Sequence, residues 1–62
     1  MDERIERIKA ICQRLLDEDG GGVVVRFDQS TKEWVATLKT GEVVCSDSLS
    51  KLRDFFDSLD QQ

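Results

Sequence analysis

The run Gly20-Gly21-Gly22 divides this chain at the point where its apolar period changes. Before it, Ile5, Ile8, Cys12 and Leu15 recur at intervals of three, four and three, which lays them along one stripe of an α-helix, and Ile11 and Leu16 widen that stripe. After it, Val23, Val25 and Phe27 alternate with Val24, Arg26 and Asp28, the two-residue period of a strand. Successive glycines stop a helix and supply its C-cap, so the chain is expected to leave a helix that opens at Asp2 or Glu3, runs to about Asp19, and enters a sheet. No Lys-Ser or Lys-Thr follows the glycines, and no strand precedes them, so a phosphate-binding loop is not indicated.

A second alternating segment spans Glu33 to Leu38, with Trp34, Ala36 and Leu38 on one face and Glu33, Val35 and Thr37 on the other. The polar stretch from Asp28 to Lys32 joins the two as a turn. Lys39-Thr40-Gly41 leads into Val43-Val44-Cys45, and two registers are open. A type I turn with Gly41 left-handed in a bulge places Ala36 opposite Val44, whereas a two-residue turn at Thr40-Gly41 places Leu38 beside Val43 and Ala36 beside Cys45. The first geometry fits Lys39-Thr40-Gly41 best, so a positive φ is expected at Gly41.

Ser46, Asp47 and Ser48 are three successive N-cap candidates. Leu49, Leu52, Phe56 and Leu59 then return to helical spacing with Phe55 beside them, and Asp60-Gln61-Gln62 is expected to fray. The reading is an α+β fold in the order α-β-β-β-α, a three-stranded antiparallel meander with two helices packed on one face. Residues 1–62 form one small domain, and the first strand is an edge.

Leu, Ile, Val and Phe account for 18 of the 62 residues, enough for a folded core. The formal charge of −4 disfavours a binder of phosphate backbones, whose affinity comes from Lys and Arg. The alternative is a small dimeric nucleic-acid-binding regulator in which two copies concentrate Arg4, Arg7, Arg14 and Arg26 into one patch. On the first helix, however, the basic residues alternate with Glu3, Glu6 and Asp17, the appearance of a solvated face. There is no run of 18 apolar residues to span a membrane, and the acidic start Met1-Asp2-Glu3 is unlike a signal peptide, so a cytoplasmic protein is expected.

The chain has no histidine, which removes the commonest metal ligand and the usual proton shuttle. Cys12 and Cys45 both fall at apolar positions and are expected to be reduced and largely buried. Asp47, Ser48 and Ser50 have no base to activate them, and Asp17-Glu18-Asp19 lacks the glycine and following acids of a calcium loop. No catalytic, metal or cofactor residue is therefore assigned, and no cofactor is expected.

What remains is the sheet face without helices. Val24, Val35 and Val44 are placed there with Arg26 and Thr37 as a candidate partner-binding set, in the company of Asp28 and Glu33. Trp34 is assigned to the core, although a one-residue slip would turn it outward.

The order α-β-β-β-α resembles the double-stranded-RNA-binding domain and the related partial domains of HicB-type antitoxins. The first family engages RNA through its first helix, the loop between its first two strands and a lysine-rich start of its last helix. Here those places offer Lys32 in the loop and Lys51 in Ser48-Leu49-Ser50-Lys51, so the charge signature is missing. The second likeness covers Val23 to Leu59, where "GEVVCSDSLSKL" leads from strand to helix. It implies a small regulatory partner-binder. The expected function is a non-enzymatic protein-interaction or regulatory module, of the kind found among phage and bacterial accessory proteins. Its expected partner is a protein, either a second copy or a heterologous chain, with neither nucleic acid nor membrane.

Overall fold

The computed structural model describes residues 2–15 and 22–61. The elements are α1 (Glu3–Leu15), β1 (Val23–Asp28), β2 (Glu33–Leu38), β3 (Val43–Ser46) and α2 (Leu49–Asp60). The strands form one antiparallel sheet in the order β1-β2-β3, and the two helices pack against each other on one of its faces. The expected fold class is the observed one. The expected extension of the first helix to Asp19, the acids at 17–19 and the cap at Gly20 and Gly21 lie outside the described residues.

α1 starts where Asp2 caps it. The Arg4 amide donates to Asp2 Oδ1 at 2.9 Å, satisfying one of the first-turn donors that no helix can pair internally. The Arg4 guanidinium closes on the same carboxylate at 2.7 Å, and its hydrogen bonds hold the Asp2 carboxyl down at about 2. Glu3 and Glu6 in the first turn and Arg14 in the last suit the helix dipole. Ile8, Ile11 and Cys12 are buried and Ile5 packs against them, as the stripe predicts, while Leu15 is exposed at the end of the element.

Register follows from the two turns. In the first, Asp28 pairs with Glu33 across a four-residue loop, Asp28 Oδ1 accepts the Ser30 amide at 2.9 Å, and Lys32 adopts φ 58. In the second, the Gly41 amide donates to Leu38 O at 2.9 Å and the Leu38 amide to Glu42 O at 2.8 Å, with Gly41 at φ 98. This is the bulged three-residue turn, and it sets Ala36 opposite Val44, Thr37 opposite Val43 and Val35 opposite Cys45. The two-residue alternative is excluded.

Cross-strand partners share a face, so Val23, Val25, Ala36, Leu38 and Val44 turn together toward the helices. They meet Ile8, Ile11 and Cys12 of α1 and Leu49, Leu52 and Phe56 of α2. Trp34 is half-buried against this cluster, as assigned from sequence, and its ring meets Phe27 edge-on at 5.4 Å and 64°.

α2 is capped by Ser48, whose Oγ accepts the Lys51 amide at 3.1 Å. The helices run in the same direction, since Arg4 reaches Ser50 Oγ near the start of α2 and Arg14 reaches Asp60 at its end. No basic residue stands in the last turn of α2, so Asp57 and Asp60 sit against the negative end of its dipole. α1 supplies the missing cations: Arg7 bonds Asp57 at 2.7 Å and Asp60 at 2.9 Å, and Arg14 lies 3.4 Å from Asp60 Oδ1, close enough for an ion pair but not hydrogen-bonded to that oxygen. Asp60 is therefore a corner of the helix pair rather than part of a frayed tail, with a side chain only 10% exposed. The expected fraying there is corrected by a tether that the linear pattern of α2 does not contain.

A Cβ at Gly41 would meet nothing within 4 Å, so steric crowding does not require the glycine; its φ of 98 does. Gly41→Val should destabilise the domain by about 1–3 kcal/mol through backbone strain alone. Urea denaturation should show a lower midpoint at an unchanged slope.

Candidate functional site

The face opposite the helices is built in three cross-strand rows. Val24, Thr37 and Val43 form the first, Arg26, Val35 and Cys45 the second, and Asp28 with Glu33 the third. Val35 is only 5% exposed although no helix among the described residues covers it, because it lies on the central strand between Arg26 and Cys45. Val24 and Val43, on the two edge strands, are 63% and 54% exposed. The result is a face on which Val24, Val35, Val43 and Cys45 surround Thr37, with one guanidinium on one edge and two carboxylates at one end.

Four of the five residues of the candidate set lie on this face: Val24, Arg26, Val35 and Thr37. Val44 does not. The bulge at Gly41 pairs it with Ala36, so its side chain packs against the core, and Val43 takes the place assigned to it. The same parity corrects Cys45, which is exposed rather than buried. Its thiol is free, so no bridge joins it to Cys12, which is buried in the core. Sequence reasoning missed Val43 and Cys45 as surface residues because an apolar run of three has no alternation of its own; the signal that places them is the turn before it.

The arginines of the alternative patch are not gathered in one chain. Arg4, Arg7 and Arg14 stand on α1, where Asp2, Asp57 and Asp60 engage them, and hydrogen bonding to Asp57 pushes the Arg7 guanidinium further up from its ordinary value. Arg26 projects from the other side of the sheet. A groove between the helices carries Arg4, Arg7 and Arg53, but Glu3 and Asp57 line it too. These cations are largely matched by carboxylates before any ligand arrives.

Chemically, the open face holds a hydroxyl at Thr37 and a thiol at Cys45, neither with a histidine to activate it. Among the described residues no group of three or more Cys, Asp or Glu side chains is placed to hold a metal ion, and no helix is long and apolar enough to cross a membrane. The arrangement is suited to desolvating a complementary apolar surface while pairing charges at its margin. Comparison with known proteins finds no family model that matches this chain, and no matching curated protein or solved structure.

The two thiols should differ sharply in access. With an aromatic disulfide reagent, one equivalent, Cys45, should react rapidly in the native protein and the second, Cys12, only on unfolding. Cys45→Ser should abolish the fast phase and leave the slow one.

Proposed function

We propose that this protein is a non-enzymatic interaction module that docks the open face of its sheet onto another protein, in the manner of a small regulatory accessory protein. The reading rests above all on one observation: the exposed pair Val24 and Val43 flanking Thr37, with Val35 in the adjoining row, on a face that no helix covers among the described residues. A surface of this kind gains by losing water, and its central valine needs no rearrangement to take part. The carboxylates of Asp28 and Glu33 at one end, with the net charge of −4, favour a partner with an apolar patch bordered by basic groups. Such a partner is met in the cytoplasm in this proposal, and no cofactor is involved.

The absence of a histidine and the open-face setting of Thr37, half-buried, and Cys45, exposed, support a binding role over a catalytic one. The engagement of Arg4, Arg7 and Arg14 by carboxylates supports a protein partner over a nucleic acid.

The test uses immobilised wild-type protein and a Val24→Lys/Val43→Lys double variant. Both positions are more than half exposed, so the double variant should keep its fold within about 1 kcal/mol. A partner retained by the wild type, once purified, should bind the variant at least ~10-fold more weakly, a loss of about 1.4 kcal/mol. Unchanged affinity in the folded variant removes this face from the account. Binding of nucleic acid at low salt that falls steeply as salt is added would contradict the proposed partner class.

A further inference from the structure

The edge of β1 carries a second feature, distinct from the open face. Antiparallel neighbours alternate between residues whose backbone groups point toward one flanking strand and toward the other. The Leu38 amide bonds Glu42, so Leu38, Ala36 and Trp34 turn their backbone groups to β3, while Thr37, Val35 and Glu33 turn theirs to β1. Their partners Val24, Arg26 and Asp28 are thereby used. Val23, Val25 and Phe27 direct their N–H and C=O groups off the sheet, along an edge that no other strand among the described residues occupies.

Phe27 stands out on this edge. It is 44% exposed, supported by Trp34 on one side, and flanked in sequence by residues of opposite charge, Arg26 and Asp28. Both charged neighbours lie on the open face, and among the described residues Arg26 has no ion-pair partner. Asp28 stands directly across from Glu33, a like-charge pair that is unfavourable unless a cation joins it. One oxygen of Asp28 accepts the Ser30 amide, and Oδ2 remains for a further donor.

We propose that β1 pairs antiparallel with β1 of a second copy of this chain, around a twofold axis through Phe27. The axis sets Phe27 opposite the partner's Phe27, where each donates its amide to the other's carbonyl and the two rings cover each other. It also sets Arg26 opposite the partner's Asp28, and Asp28 opposite the partner's Arg26, beside the Glu33 carboxylate that needs a cation. The segment Arg26-Phe27-Asp28 is self-complementary in charge, and that property selects a second copy over an unrelated strand. Other symmetric registers lack it: an axis through Arg26 opposes two guanidiniums, and one through Val25 places Arg26 against Val24. The strand overlap is short, so the dimer is a transient one, below the size of a standard interface. Docking of a heterologous protein on Val24 and Val43 is a separate matter and can fail without affecting this pairing.

Sedimentation equilibrium from micromolar to millimolar protein tests it. The wild type should move from monomer toward dimer mass, Arg26→Asp should weaken association at least ~10-fold, and Arg26→Asp combined with Asp28→Arg should recover it. Val43→Lys, on the opposite edge, should leave it unchanged. In the wild type, the Phe27 amide should exchange with solvent more slowly as concentration rises, a readout that holds even if a charge variant does not fold. A monomeric mass throughout overturns the proposal, as does Phe27 exchange that is independent of concentration. A folded Arg26→Asp variant that associates like the wild type overturns it too, and so does a folded double variant that remains monomeric.

Discussion

The left-handed turn at Gly41 governs more of this molecule than any other single contact. Because side chains alternate along a strand, a shift of one residue after that turn would exchange every side chain of β3 between the core and the solvent. With Gly41 at φ 98 and the Leu38 amide bound to Glu42, Val44 completes the core while Val43 and Cys45 remain outside. The composition of the open face is thus fixed at Gly41, two residues before β3 begins. Three strands then suffice to give one face wholly to the helices and to leave the other bare.

The helix pair has a different support. Parallel helices align their dipoles unfavourably, and α2 ends in two carboxylates that make its own negative end worse. Arg7 and Arg14 of α1 answer both, joining the ends of the helices above the buried contacts of Ile8, Ile11, Leu52 and Phe56. These ion pairs are partly exposed and individually modest. Together they set Arg7 and Arg14 of α1 against Asp57 and Asp60 at the end of α2. Of the large apolar side chains that stay exposed among the described residues, Val24 and Val43 share the bare sheet face, while Leu15 and Phe55 stand on the helices and Phe27 beside Trp34.

Much of this architecture was legible in the sequence because each element carried its own period and its own stop signal. Ile5, Ile8 and Cys12 define the buried stripe of α1, Leu49, Leu52 and Phe56 that of α2, and Ser48 marks where α2 begins. The meander order of the strands and the edge position of β1 followed from short connections. The candidate site was only partly legible. Val24, Arg26, Val35 and Thr37 announce their face by alternation within longer strands, whereas Val43-Val44-Cys45 is uniformly apolar and takes its facing from the turn before it. Cys45 was misplaced because small size and weak polarity made burial the natural expectation. Asp60 was misread because its partners, Arg7 and Arg14, lie more than forty positions away.

Since the division into a packed face and an open face descends from one register, the most direct measurement is of that register in solution. Non-hydrogen-bonded antiparallel pairs bring their Cα atoms to about 4.5 Å, close enough for strong cross-relaxation between α-protons. Nuclear Overhauser spectra should therefore connect the α-protons of Thr37 with Val43 and of Val35 with Cys45, the pairs set by the bulge at Gly41. Strong α-proton connections of Leu38 with Val43 or of Ala36 with Cys45 would show the two-residue turn instead. In that case Val43 and Cys45 would belong to the core, Val44 to the surface, and the account given of the open face would be wrong.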